Sequence, residues 1–223
     1  MLEYTIAGFL PIMLAAVSAT ALTQLFYGSA LAFEVPPLHM HGLAEIPHVA
    51  LTGVLMGVLA AGFIHALQYF SKLSRSRPIA LRCTAGGLGV GLCALAVPQV
   101  MGIGYDTVTQ ALTGDIALGL MLAIVGFKLL ASTWGIAMGL PGGLIGPTLV
   151  VGAAAGGAVG YLGGLVNPDA IATPALYALL GMGAMMGATL RAPLAALTAM
   201  LELTGNPAIR QSSCRGCWPS SLR

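Results

Sequence analysis

Charged residues are scarce in this sequence, and their scarcity excludes several classes of protein. Only 7% of the 223 residues are charged, and nine Lys or Arg against seven Asp or Glu give a formal net charge of +2. Such sparse and balanced charge forms no basic surface of the kind that binds nucleic acid. Hydrophobic residues make up 57% of the chain, too many to hide in one water-soluble core. The composition therefore predicts a membrane protein with several spans.

Metal-binding and redox motifs are also scarce. Cys83 and Cys93 lie in or beside an apolar run, where a cysteine usually acts as a small hydrophobic residue. Cys214 and Cys217 form a CxxC pair without a second pair or a nearby histidine, which is too few ligands for a zinc site. We therefore expect no metal and no cofactor. One proline-rich segment, interpreted as a solvated loop, holds the remaining candidates: Glu34, His39, His41, Glu45 and His48.

Apolar segments alternate with polar ones, and one helical crossing of a hydrocarbon core needs roughly 20 apolar residues. Residues 5–26 meet that length. They lack a basic leader and a cleavage site, so we expect a retained span rather than a secretory signal. The predicted fold class is all-α, with tilted or partial helices near the end. The other predicted helices cover residues 49–70, 85–100, 114–133, 174–190 and 192–203.

Basic residues cluster between the second and third predicted spans, at Lys72, Arg75, Arg77 and Arg82. Cytoplasmic loops of membrane proteins carry an excess of Lys and Arg. We therefore predict that this connection is cytoplasmic and that the loop of residues 27–47 lies on the opposite side.

Lys128 and His65 fall inside predicted spans, where charge is costly. Lys128 either reaches the membrane interface with its long side chain or supplies positive potential to an anion path. His65 either contacts interfacial water or has a proton-transfer or gating role. The residues alone leave both alternatives open.

The most informative stretch is residues 139–164, which read GLPGGLIGPTLVVGAAAGGAVGYLGG. Its PGG element and its GP pair interrupt and then restart a helix, because proline is favoured in a first helical turn. A helix that begins inside a membrane presents free amides and the positive end of its dipole, and together they bind an anion. We predict the amides of Leu144 and Ile145 as the donors. A plain helix kink is the alternative.

Four glycines in the same stretch follow one another at four-residue spacing, which places them on one helix face. This spacing is typical of membrane helices that approach each other closely. We therefore predict a helix-packing role for Gly152, Gly156, Gly160 and Gly164.

Two motifs resemble those of the CLC family of chloride channels and chloride/proton antiporters. The first, GLPGGLIGPTLVVGAAAGG, is similar to the GxFxP region of the family. The second, residues 181–205, resembles a later signature and reads GMGAMMGATLRAPLAALTAMLELTG. Lys128 lies where the family commonly has a basic residue. The resemblance covers nearly all of residues 1–206 and corresponds to roughly the second half of a family subunit.

The resemblance implies part of an inverted-repeat membrane fold that transports chloride, as a channel or an antiporter, and not an enzyme. Family members hold the ion between two halves with helix amides and with serine and tyrosine hydroxyls. The implied partners are chloride, the lipid bilayer, and either a second copy through residues 194–203 or a complementary half. Glu202 matches an acidic family position, which we interpret as a structural hydrogen-bond partner. The implied anion-binding residues are Gly143, Leu144, Ile145, Gly146 and Pro147.

The chain also departs from the family pattern. Ile145 replaces the phenylalanine of the motif, which keeps the amide but changes the side chain. Neither a GSGIP-like nor a GREGP-like segment is found. We divide the chain into a membrane domain, residues 1–206, and a divergent polar tail, residues 207–223, for which a shifted reading frame is one hypothesis. The alternative function is an incomplete, non-transporting fragment, or an assembly partner that needs another chain to complete the pore.

Overall fold

The chain folds as helices throughout the part that its computed structural model describes, which is residues 6–28, 33, 45–75, 78–114, 116–166 and 174–204. Within these ranges there is no strand, and the predicted all-α class is confirmed. A short 3-10 turn covers Pro98–Val100. In chain order the helices are α1 (Ile6–Tyr27), α2 (Ile46–Ser74), α3 (Ile79–Ala96), α4 (Tyr105–Thr113), α5 (Leu118–Ala137), α6 (Ile145–Val166), α7 (Pro174–Leu190) and α8 (Pro193–Thr204).

Four of these helices, α2, α3, α5 and α6, are long and apolar enough to cross a membrane, judged by length and composition. Helix α1 belongs to a separate compact unit, Met1–Ala32, and the other helices belong to a second unit, Phe33–Arg223. The chain is thus a multi-span membrane protein, as its composition predicts.

Helix α4 is the element that the sequence pattern did not reveal. It has nine residues and is flanked by Gly104 and Gly114, whose φ angles are 83° and 81°. These left-handed glycines separate α4 from its neighbours, because glycine adopts positive φ without steric cost. As a result α5 begins at Leu118 rather than at residue 114.

The outer surface of the bundle is apolar. On α3, the side chains of Leu88, Leu92 and Leu95 lie on one face and are 67% to 82% exposed. A water-soluble protein rarely exposes such a stripe. In a membrane protein these side chains contact lipid.

Helix α6 is the central element of the second unit and contacts α2, α4, α5 and α7. Its inward face carries Leu149, Ala153 and Ala154, which pack with Ile124 of α5 and Met182 of α7 in one buried cluster. A second buried cluster joins α2, α6 and α7, and its members include Met56, Phe63, Val151, Ala155 and Met185. The start of α6 is therefore positioned by four neighbouring helices.

The contact of α6 with α7 is the closest in the bundle. A Cβ at Gly152 would lie 2.5 Å from the carbonyl oxygen of Gly181, and one at Gly160 would lie 2.9 Å from Cβ of Tyr177. A Cβ at Gly156 would overlap the carbonyl oxygen of Tyr177. Membrane helices gain no hydrophobic driving force from one another, so they depend on such close van der Waals packing.

Gly164, the fourth member of the predicted series, lies apart from this contact. No described atom beyond its own helix backbone and chain neighbours lies within 4 Å of a Cβ built at Gly164. The structure thus places Gly152, Gly156 and Gly160 against α7, whereas Gly164 meets no described residue of another helix.

Replacing Gly156 with alanine is expected to destabilise the protein, because the added methyl group would push α7 away from α6. Overpacking of this kind costs roughly 1–3 kcal/mol. Gly164→Ala is the matched control, and it should leave the melting temperature unchanged or raise it, since alanine is favoured over glycine in helices by roughly 0.5–1 kcal/mol. Thermal unfolding in detergent, followed by circular dichroism, measures both. Equal melting temperatures for the two variants would contradict the packing role of Gly156.

Candidate functional site

Helix α5 ends at a glycine that turns the chain sharply. Gly139 has a φ of 89°, and its amide donates to the carbonyl of Ile136 at 3.0 Å. The amide of Leu140 donates to the carbonyl of Gly135 at 3.1 Å. This pair of bonds is a Schellman motif, which satisfies carbonyls in the last turn of a helix. The guanidinium of Arg82, on α3, donates to one more of them, the carbonyl of Ala137, at 3.3 Å.

Helix α6 begins a few residues later, and its first amides have no partner among the described residues. The first backbone bond of its first turn runs from the Thr148 amide to the Leu144 carbonyl, at 3.1 Å. The amides of Leu144, Ile145 and Gly146 precede that bond, and no acceptor for them is found among the described residues. Pro147 has no amide hydrogen to satisfy. The interruption predicted from the sequence is therefore present, and its downstream end presents free donors.

An open cavity of about 540 Å³ adjoins this interruption. Its walls come from α3, α5, the first turn of α6 and the segments that precede α4 and α6, and they include Gly102, Lys128, Ser132, Gly143 and Pro147. The side chain of Ile145 is 51% exposed and is not part of the wall, nor is Leu144. The cavity thus reaches the start of α6 from the side of Gly143 and Pro147.

Lys128 lies deep on α5 and is only 3% exposed. Its Nζ donates to the carbonyl of Val100 at 2.7 Å and to that of Gly102 at 2.9 Å. The end of the side chain therefore lies inside the fold rather than at its surface. A buried ammonium group is costly unless it is hydrogen-bonded. These two hydrogen bonds offset the free-energy cost of burying the ammonium group. They also link the segment between α3 and α4 to α5.

The segment that Lys128 holds runs alongside the start of α6. A Cβ at Gly146 would lie 3.7 Å from Cγ2 of Ile103. A Cβ at Gly104, which precedes α4, would lie 2.8 Å from Cγ2 of Val150 and 3.7 Å from Nζ of Lys128. Two helix N-termini and one ammonium group are thus neighbours, and each contributes positive potential. The sequence analysis did not predict this convergence, because it did not predict α4. The glycines on either side of α4 were the available signal for that helix.

The other candidate residues that the structure describes are not gathered at this site. His65 is exposed on α2, and the ring of His48 lies 6.4 Å from that of Tyr177. Glu202 is exposed on α8, and the hydrogen bond expected for its side chain is not found among the described residues. Cys83 and Cys93 are half-buried free thiols on α3. Other candidates lie outside the described residues: Glu34, His39, His41, Cys214 and Cys217.

Comparison with known proteins assigns the family. The sequence model of the voltage-gated chloride channel family matches residues 1–215. This chain belongs to that family. Membership in the chloride channel family agrees with the apolar helices, and the chain is an integral membrane protein with several spans.

Individual relatives are chloride channels or exchangers by name. The chain is 32% identical to chloride channel protein CLC-e of Arabidopsis thaliana, over 86% of this chain and 30% of the relative. It is 31% identical to CLC-f of the same plant, over 86% and 27% respectively. It is 26% identical to the H(+)/Cl(-) exchange transporter ClcA of Vibrio cholerae, over 92% and 45%. The chain thus spans less than half the length of each of these relatives.

Replacing Lys128 with methionine is expected to destabilise the protein, because the carbonyls of Val100 and Gly102 would lose their donor. A buried polar group left without a partner costs roughly 1–3 kcal/mol. Lys72→Met is the matched control, since Lys72 is exposed at the end of α2. Lys128→Arg keeps the charge and should fall between the two in melting temperature, measured by circular dichroism in detergent. If Lys128→Met and Lys72→Met have the same melting temperature, the two hydrogen bonds of Lys128 do not stabilise the fold.

Proposed function

We propose that this chain provides an anion pathway for transmembrane chloride transport, as a channel or a chloride/proton exchanger, and that the ion rests at the start of α6. The amides of Leu144, Ile145 and Gly146 donate hydrogen bonds to the ion, and Gly143 and Pro147 shape its approach from the cavity. The observation that carries this proposal is the set of unpartnered amides next to an open cavity.

Hydrogen bonding around the interruption is one-sided, which supports an anion as the missing partner. Carbonyls in the last turn of α5 accept bonds from Leu140 and Arg82, and those before α4 accept bonds from Lys128. The amides that begin α6 have no such partner among the described residues. Within a membrane, irregular backbone is tolerated where it lines a cavity or binds a ligand. Unpartnered donors call for an acceptor, and an anion is one.

The distribution of charged residues also favours the start of α6 as the anion site. The first turn of α4 contains Asp106, which complements its dipole, whereas the first turn of α6 contains no acidic residue. A helix N-terminus is equivalent to roughly half a positive charge, and Lys128 adds potential nearby. The positive potential at the start of α6 is therefore the less compensated of the two.

The donors also suit an ion that must leave again. The proposed ligands are neutral amides and a helix dipole rather than a cationic side chain. Conduction requires binding that is favourable enough for entry and weak enough for release. A small monovalent anion fits this balance, and the named relatives are chloride channels and a chloride exchanger.

The second candidate function is that of an assembly partner or a non-transporting fragment, in which another chain completes the pore. It is favoured by the fact that the chain matches only 30% of CLC-e and 45% of ClcA. Chloride efflux from liposomes that contain the purified chain distinguishes the two. Efflux supports the first proposal, and its absence at every protein density supports the second.

Changing one backbone donor tests the ion site itself. Ile145→Pro removes the amide hydrogen at the first position of α6, where the fixed φ of proline suits a helix start. Chloride efflux per protein should fall about 10- to 100-fold, because a hydrogen bond to a charged group contributes roughly 1.5–3 kcal/mol. Ile145→Val keeps the amide and should retain most of the wild-type efflux. Efflux from Ile145→Pro equal to that of Ile145→Val, with both proteins helical by circular dichroism, would exclude this amide as a ligand.

We also propose a homodimer that uses α8. Leu194, Leu197 and Leu201 share one face of this helix and are 77%, 60% and 54% exposed. The face lies within residues 194–203, where the family resemblance implies a dimer contact. Photobleaching of singly labelled protein in liposomes should show two steps for a dimer. A single step across all protein densities would contradict it.

A further inference from the structure

A second, smaller cavity of about 230 Å³ lies where α2, α3 and the end of α5 meet. Helices α2 and α3 both pack on α5, and the space between their ends remains open. Leu73 and Ser74 line it from α2, Leu81 and Arg82 from α3, and Trp134 and Met138 from the end of α5. None of these residues belongs to the candidate anion site at α6.

Two hydrogen-bond donors in the wall of this cavity have no partner among the described residues. Ser74 is 2% exposed, and its Oγ is buried without a hydrogen bond. The Nε of Arg82 is likewise buried and unpartnered, although Nη2 of the same side chain reaches the Ala137 carbonyl. Leaving buried donors unpaired costs free energy. An acceptor that reached Ser74 Oγ and Arg82 Nε from the cavity would recover that cost.

The charge around the cavity specifies an anion as that acceptor. Lys72 and Arg75 flank the lining residues of α2 and are exposed. Between Glu45 and Asp106 the sequence contains no acidic residue. The planar guanidinium of arginine and the hydroxyl of serine are common donors to phosphate oxygens. Arg82 is the charged residue among those that line the cavity, and Lys72 and Arg75 add positive charge beside it.

The apolar part of the wall distinguishes a lipid from a free phosphate ion. Leu73 and Leu81 are 60% and 50% exposed at the rim. The indole Nε1 of Trp134 already donates to the carbonyl of Ala85 at 3.0 Å, so its ring offers the cavity an apolar surface. An apolar wall of this kind can contact an acyl chain, but it offers no hydrogen bond to a hydrated inorganic ion.

The location in the membrane agrees with this assignment. The basic connection after α2 is predicted to be cytoplasmic, and the cytoplasmic leaflet carries the anionic lipids to which juxtamembrane Lys and Arg are attracted. We propose that the cavity binds the phosphodiester headgroup of an anionic phospholipid, with Arg82 and Ser74 as its donors and an acyl chain along Leu81 and Trp134. This site is independent of the ion site proposed at α6.

Quenching of Trp134 fluorescence tests the proposal directly, because Trp134 lines the cavity. The chain has two tryptophans, so Trp218→Phe provides a background in which Trp134 alone emits. The protein is placed in phosphatidylcholine vesicles that contain an equal fraction of either brominated-chain phosphatidylglycerol or brominated-chain phosphatidylcholine. Stronger quenching by phosphatidylglycerol is the expected result. Equal quenching by the two lipids would overturn the proposal.

Variants of the two donors identify the site. Arg82→Gln should lower the relative association constant for phosphatidylglycerol by about tenfold, which corresponds to about 1.4 kcal/mol, and Ser74→Ala should lower it less. Arg75→Gln removes an exposed charge beside the cavity but outside its lining, so it is the matched control and should lower the constant less than Arg82→Gln does. An Arg75→Gln effect as large as that of Arg82→Gln would show surface attraction without a site, and would overturn the proposal.

Two further measurements separate a loss of lipid binding from a loss of folding, and a lipid from a free phosphate ion. Arg82 also donates a hydrogen bond to the end of α5, so Arg82→Lys is tested beside Arg82→Gln. If neither variant folds, the comparison of the two brominated lipids with Ser74→Ala still tests the site. Inorganic phosphate is added at matched ionic strength against chloride. The lipid site predicts that phosphate relieves the quenching no more than chloride does. Selective relief by inorganic phosphate would assign the cavity to a free anion instead.

Discussion

The constraint on which this structure depends is that backbone hydrogen bonds inside a membrane must be satisfied by the protein or by what it binds. The chain breaks its helical path twice beside α5, before α4 and before α6. At both breaks, carbonyl ends have donors, supplied by Lys128 and by Arg82 together with the Schellman motif at Gly139. Among the described residues, no acceptor is found for the first amides of α6, and the proposed anion site rests on them.

Close packing explains why the amide end lies where it does. Gly152 and Gly156 let α6 touch the backbone of α7, and the clusters of apolar side chains add contacts with α2, α4 and α5. These contacts with four neighbouring helices hold α6 in place, and with it the first turn of α6. Helix α5 links the two cavities, because Lys128 contributes to one and Trp134 to the other.

Much of the fold was predictable because the pattern of apolar length and helix-breaking residues is local. The spans, the all-α class and the restart before Pro147 followed from composition and proline chemistry. Helix α4 did not, since nine residues between glycines carry too short a periodic signal. The glycine series was predictable as a set, but its members were not distinguishable: whether Gly160 or Gly164 meets another helix depends on the position of α7.

The sequence by itself determined that this is a membrane protein of the chloride channel family and that a helix restarts near Ile145, because hydropathy and short motifs are written in consecutive residues. Only the tertiary structure decided which partners the polar groups have. Lys128 could have extended to the interface, but folding places the Val100 and Gly102 carbonyls within its reach. Residues far apart in the chain supply these bonds, so no local pattern encodes them.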